Sequence, residues 1–162
     1  MTLYLGVDPG LGGALAFFST DTNCLDVYDM PTFSVLVKGK PRRKLDRKAL
    51  HGILASRPSG YAVLELVHAM PRQGVTSAFT FGEVYGATAQ CLVSNSWDIL
   101  HVLPRVWKGH FGLSADKDAS RALATAKFPM HADLFERKKN DGRAEAALMA
   151  LYGFWWSHWE NT

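Results

Sequence analysis

Cysteine is scarce in this chain of 162 residues: only Cys24 and Cys91 occur, with no CxxC spacing. That excludes a disulfide framework or a cysteine zinc site and makes a reducing cytoplasm the expected setting. Long apolar runs are missing as well. The longest uncharged one, Ala146 to Trp156, has eleven residues, against about 20 for a membrane-spanning helix, so no membrane partner is expected. No Lys or Arg precedes Lys38, so the basic start of a secretory leader is not expected either. Neither GxGxxG nor GKS/T accompanies Gly10, Gly12 and Gly13, which argues against a nucleotide cofactor held by a phosphate loop. The six histidines are scattered without metal-ligand spacing. There is no internal repeat and no low-complexity linker.

What is present suits one folded domain over residues 1–162. Apolar residues make up 48% and charged ones 20%, enough to bury a core unaided by metal or disulfides. The net charge is only +3, but it is unevenly spread. Lys38, Lys40, Arg42, Arg43, Lys44, Arg47 and Lys48 face one acid, Asp46, so this stretch carries +6 and the remainder −3. A compact basic segment on a slightly acidic body points to a polyanion partner.

Leu3 to Val7, Ala14 to Phe18 and Leu25 to Asp29 read as three strands joined by turns, an antiparallel meander. Pro31 to Pro41 reads as a basic loop, and Leu45 to Ser56 as a helix. Tyr61 to Val67 is a further strand ending near Met70-Pro71. Val75 to Ser94 is a long helix with Gly82 and Gly86 one turn apart, where another backbone is expected to approach. Asp98 to Leu103 is the fifth strand, and Pro104 opens a short helix. Ser114 or Asp116 caps a helix running to Phe128. Arg137 to Asn140 reads as a polar loop before a last helix running from Asp141 toward Trp156. The pattern predicts an α/β fold, a mixed five-stranded sheet with helices on its faces. The aromatics Tyr152, Phe154, Trp155, Trp156 and Trp159 read as core or dimer interface rather than a base-stacking platform.

The informative residues are carboxylates in apolar surroundings. Asp8 ends the first strand, and Glu65 sits inside Val63-Leu64-Glu65-Leu66-Val67. An unpaired ionised carboxylate is costly to bury. Each acid has a plain structural account: a turn Asp, an edge-strand Glu facing water, a helix-capping Asp141, and a Glu145 favoured by the helix dipole. The set is less easily explained. Asp141 and Glu145 share one helix face, and the small, apolar Ala146 to Ala150 that follow pack that helix on the sheet. Four acids meeting there would repel one another without bound cations, and all-oxygen ligands select Mg²⁺ or Mn²⁺. Two such ions can activate water and stabilise the leaving oxygen of a phosphodiester.

Leu5-Gly6-Val7-Asp8-Pro9-Gly10, Val63 to Val67, Phe81-Gly82-Glu83-Val84-Tyr85-Gly86 and Asn140-Asp141-Gly142-Arg143-Ala144-Glu145-Ala146-Ala147-Leu148 together resemble the RuvC-type Holliday-junction resolvases of the ribonuclease-H-like superfamily, in a phage or prophage type of branch. The resemblance spans nearly the whole chain. It implies a ribonuclease-H-like fold and a homodimer, with the Gly82/Gly86 helix a candidate interface. It implies a crossover-junction endonuclease of recombination and repair, acting in a bacterial or phage-infected cytoplasm. Such an enzyme nicks a four-way DNA junction symmetrically and leaves 5′-phosphate and 3′-hydroxyl ends. Asp8, Glu65, Asp141 and Glu145 fall on the family's four metal-binding acids, for two Mg²⁺ with Mn²⁺ as substitute. The last motif departs from the family's two Asp three residues apart, and His68 stands where an aromatic residue is common. That departure motivates an alternative, a broader nuclease for forks and flaps. A non-catalytic junction-binding protein is a further alternative, although all four acids are present.

Lys117 falls in the region where the family places basic groups near the scissile phosphate, and a catalytic role is expected of it. Arg121, one turn on, is expected to contact phosphate. DNA contacts are also expected from Lys38, Lys40, Arg42, Arg43, Lys44, His68, Arg72, Gln73, Lys138 and Lys139.

Overall fold

The structure, a computed structural model, describes residues 2–68, 74–114 and 116–159, apart from the side chains of Lys117 and Trp159. β1 (Leu3–Asp8) is the central strand, and it is buried from Leu3 to Val7 because both of its faces are covered. β2 (Ala14–Ser19) and β3 (Cys24–Asp29) continue from it as the expected antiparallel meander.

The next segment corrects the sequence reading. Residues 31–41 are not a loop. β4 (Thr32–Val37) and β5 (Lys40–Leu45) form a separate two-stranded antiparallel hairpin. Its turn is Lys38-Gly39, both with positive φ, +49° and +72°. A two-residue turn of this hand matches the twist of the flanking strands, and glycine adopts it without strain.

Asp46 then caps α1 (Arg47–Ala55), its side chain accepting from the Ala49 amide at 2.9 Å. The helix starts after Leu45 because Leu45 closes the hairpin. β6 (Tyr61–Glu65) pairs parallel with β1 and ends at Glu65, two residues earlier than expected. α2 (Val75–Ser94) has the expected bounds. β7 (Asp98–Val102) pairs parallel with β6, which completes the order β3-β2-β1-β6-β7. α3 (Pro104–His110) and α4 (Lys117–Lys127) follow, with Asp116 capping the latter. The stretch read as a polar loop is partly a 3-10 turn, Lys138–Asn140, leading into α5 (Asp141–Trp159).

Two cores lie on opposite faces of the sheet. Leu3, Leu5, Val7, Leu15 and Leu64 pack with Leu50, Leu54, Val84 and Leu92 of α1 and α2. Tyr4, Ala16, Phe18 and Val63 pack with Trp107, Phe135 and the small residues of α5. α5 sits directly on the β1 backbone at Gly6, where a Cβ would overlap the Ala146 carbonyl. Close approach is the reason for glycine there and for alanines opposite it. Phe154 packs edge-on against Tyr4, while Trp155 is exposed. Around Gly82 and Gly86 no backbone among the described residues approaches; a Cβ at either would meet none of their atoms within 4 Å. Among the described residues of the chain the expected close contact is absent, and that face of α2 is exposed at both glycines. No helix among the described residues is long and apolar enough to cross a membrane.

Candidate active site

The parallel pairing of β1 with β6 decides the site. Val7 is in register with Leu64, so the next residues, Asp8 and Glu65, end adjacent strands side by side. Side chains alternate across a strand. Asp8 therefore shares the face of Tyr4 and Gly6, and Glu65 that of Val63, which is the face covered by α5. The N-terminal turn of α5 brings Asp141 and Glu145 to the same place. Asp8, Asp29, Arg43, Lys139, Asp141 and Glu145 line a cleft of about 530 Å³. Glu65 stands behind this lining, next to Asp8.

Asp8 is tightly surrounded. The Gly10 amide donates to its Oδ1 at 3.3 Å. A Cβ on Gly13 would crowd the Asp8 carboxyl carbon at 2.8 Å, and one on Gly142 its Oδ2 at 3.0 Å. Burial, then the negative charge of Glu145, and more weakly Glu65 and Asp141, push its carboxyl up to about 7 against the pull of the Gly10 amide. The nearby acids thus add to the effect of burial on Asp8.

The two glutamates are engaged by consecutive residues of α3. The Trp107 indole N–H donates to Glu65 Oε2 at 2.9 Å. The Lys108 ammonium donates to Glu145 Oε1 at 2.7 Å, with both side chains largely buried. Burial raises the Glu65 carboxyl, Trp107 pulls it down, and Glu145 and Lys108 act in opposite directions. Lys108 supplies one positive charge among four acids. Neither Trp107 nor Lys108 was singled out from the sequence. The available signal was their position in a short Pro-opened helix directly after β7.

A second unforeseen pair borders the cleft. Arg143, between Asp141 and Glu145, grips Asp29 at the end of β3 with two hydrogen bonds of 2.6 and 2.7 Å. The Arg143 guanidinium holds the Asp29 carboxyl below its usual range. Arg43 comes from the hairpin and donates to the Leu11 carbonyl at 2.5 Å and to Thr32 Oγ1.

The basic residues of the hairpin border a second groove of about 860 Å³. Lys38, Arg42 and Lys44 form one wall, and Thr76, Ser77 and Thr80 of α2 the other. Gly10, Leu11 and Arg43 line both groove and cleft, so the two are continuous. Lys40 is exposed on the same hairpin, and Lys44 also pairs with Glu83 at 3.5 Å. His68 is exposed beyond β6, and Lys138 is exposed beside the cleft-lining Lys139. Arg121 is turned inward, onto Asp118 at 2.5 Å and the Glu136 carbonyl at 3.0 Å. Arg72, Gln73 and the Lys117 side chain lie outside the described residues.

The donor chemistry fits a hard divalent cation. Carboxylate oxygens line one cleft, and burial first, with the neighbouring acids adding to it, raises the Asp8 carboxyl, which a cation would counter. Among the described residues, however, no three metal-capable side chains form a ready ligand cluster. Glu65 and Glu145 face Trp107 and Lys108 instead.

No family model matches the chain. Over 94 residues, 57% of this chain, it is 34% identical to "Holliday junction resolvase MOC1, chloroplastic" of Chlamydomonas reinhardtii. That match spans 11% of the algal protein's length. Among solved structures it resembles Thermus thermophilus RuvC in complex with a Holliday junction substrate, with a TM-score of 0.59 and 14% identity, covering 99% of this chain and 97% of that one. A second T. thermophilus RuvC structure matches with a TM-score of 0.55 and 15% identity over 95% of this chain and 96% of that chain. Over nearly its whole length, this chain shares the fold of these RuvC structures.

Proposed function

We propose that the protein is a metal-dependent, structure-selective DNA endonuclease, most specifically a Holliday-junction resolvase. The observation that carries the proposal is that Asp8, Asp141 and Glu145 line one cleft, with Glu65 ending the strand beside Asp8 and a basic groove opening into the same cleft. Asp8, Asp141, Glu145 and Glu65 would hold Mg²⁺, or Mn²⁺ in its place, as two ions. When bound, these supply a water activated for attack on the phosphodiester and a counter-charge for the leaving 3′-oxygen.

The chain's own residues do the rest. Arg43 and Lys139 present positive charge at the rim, where a phosphate enters. Lys38, Lys40, Arg42 and Lys44 hold the backbone farther along the groove, which positions DNA without reading its sequence. DNA contacts are also proposed for His68 and Lys138, and for Arg72 and Gln73, which lie outside the described residues. Arg121 acts there only if it leaves Asp118. Lys108 offsets negative charge beside Glu145, and Lys117, whose side chain lies outside the described residues, is proposed to offset charge on the transition state. The open, partly apolar face of α2, with Val75 and Phe79 exposed beside Gly82 and Gly86, supports a homodimer and hence paired nicks.

An end-labelled mobile four-way junction, incubated with Mg²⁺, with Mn²⁺ or with EDTA beside a linear duplex, tests this directly. Paired symmetric nicks on the junction alone, and only with metal, are expected. Equal cutting of forks, flaps and junctions would keep the chemistry and reject junction specificity. Binding without turnover in either metal would reject the enzyme.

A further inference from the structure

Trp107 is fully buried, yet both its edge and its face contact site groups. The indole N–H donates to Glu65 Oε2 at 2.9 Å. The Lys108 ammonium lies 5.2 Å from the centre of the Trp107 ring while it holds Glu145 at 2.7 Å. A buried indole usually seeks some acceptor, so the contact with Glu65 needs weighing against simple satisfaction of a polar group. Trp97 provides the comparison. It is also buried, and its N–H finds no acceptor among the described residues. Burial alone therefore does not recruit a carboxylate in this fold. At position 107 the acceptor is an acid at a strand end, beside Asp8.

We infer that Trp107 is the positioning residue of the cleft, its edge aiming Glu65 and its face steadying the lysine that aims Glu145. This rests on the reading of the four acids as a metal site. With Oε2 of Glu65 committed to the indole, Oε1 is the oxygen left for an ion. Residues that hold a metal-binding carboxylate from behind set its orientation and basicity, and losing one typically costs about 10- to 100-fold in metal affinity. Short α3 thus acts as a two-point clamp, with Trp107 serving both points.

The test is Mn²⁺ binding measured calorimetrically on the full chain. Trp107→Phe keeps an aromatic face for Lys108 and removes only the N–H donor. Mn²⁺ binding about 10- to 100-fold weaker than wild type is expected, with cutting of the four-way junction recovered by raised Mn²⁺ and with an unchanged circular dichroism spectrum. Wild-type affinity in a folded Trp107→Phe protein would overturn the inference and leave the nuclease reading standing. Failure of the wild-type protein itself to bind Mn²⁺ would overturn both.

Should Trp107→Phe not fold, ¹⁵N-indole NMR of the otherwise intact chain decides the matter. The Trp107 cross-peak should move in Glu65→Ala and again on adding Mg²⁺ to wild type. A peak unmoved by either change would overturn the inference.

Discussion

Arg143 and Asp29 join the first turn of α5 to the end of β3 through a bidentate pair, 2.6 and 2.7 Å long. Arg143 stands between Asp141 and Glu145 in sequence. The pair therefore sets how the acidic turn of α5 meets the strand ends, although neither residue is among the four acids. Asp29 is well exposed, and a solvated ion pair contributes about 1 kcal/mol or less. Asp29→Asn should lower stability in urea melts by no more than that. It should also raise the Mg²⁺ concentration for half-maximal cutting. The Asp29 carboxyl is held below its usual range, so the pair's stabilisation is present above the ordinary Asp value and is lost as pH falls through the lowered one. A wild-type stability advantage over Asp29→Asn that did not shrink as pH fell below the ordinary Asp range would contradict this origin.

Asp8 has the opposite sign. Its carboxyl is raised to about 7 in the metal-free protein. The folded state keeps the proton that the unfolded chain releases near pH 4, so Asp8 costs stability as pH climbs from about 4 to 7, and the full cost stands above 7. Asp8→Asn should then be more stable than wild type by over about 1 kcal/mol at pH 8 without metal, and nearly equal to it at pH 3. It should cut no DNA while still binding junctions. Because metal and proton compete for the same oxygens, the pH of half-maximal activity should move downward as Mg²⁺ is raised.

Lys108 and Glu145 are both mostly buried. Removing one partner of such a pair leaves a charge uncompensated, at a cost of up to about 3–5 kcal/mol. Lys108→Met should show a cost in that direction by thermal or urea melts, and Lys108→Met combined with Glu145→Gln should recover most of it. Additive losses in the double variant would mean the two side chains are not coupled.

The hairpin lysines and arginines are expected to meet phosphates. Replacing Lys38, Lys40 or Arg42 with Ala should weaken binding of all DNA sequences alike. Each should reduce the slope of log affinity against log salt by about 0.9. A change confined to one sequence would point to base contacts instead.

Gly82→Ala separates the open face of α2 from the packed interior. A Cβ there meets nothing within 4 Å among the described residues, and Ala is favoured over Gly in a helix by about 1 kcal/mol. A monomer should therefore gain stability. If a second copy packs on this face, light scattering should instead show weakened self-association.

Residue periodicity and turn chemistry were enough to read the meander, the bounds of α2 and the Pro-opened α3. The hairpin at residues 32–45 was also written in the sequence, as Thr-Phe-Ser-Val-Leu-Val before Lys-Gly. The density of positive charge after it suggested a loop, yet a two-stranded ribbon with one solvated face carries such charge without cost to its ladder. The four acids stand out in the sequence as candidates because carboxylates in apolar runs need a reason to be there. Their partners were not, since Trp107 and Lys108 look like an ordinary buried aromatic and a surface base until α3 is placed behind β6 and α5.

Local chemistry, then, determined the element types, the basic segment and the identity of the acids, because backbone preference and the cost of burying charge act over a few residues. Only the tertiary structure decided which oxygen of Glu65 is taken, which lysine stands among the acids, and that Arg143 locks onto Asp29 across 114 residues. Those contacts depend on parallel strand register and on how closely α5 lies over Gly6, and no local pattern encodes the distance between segments that meet only after folding.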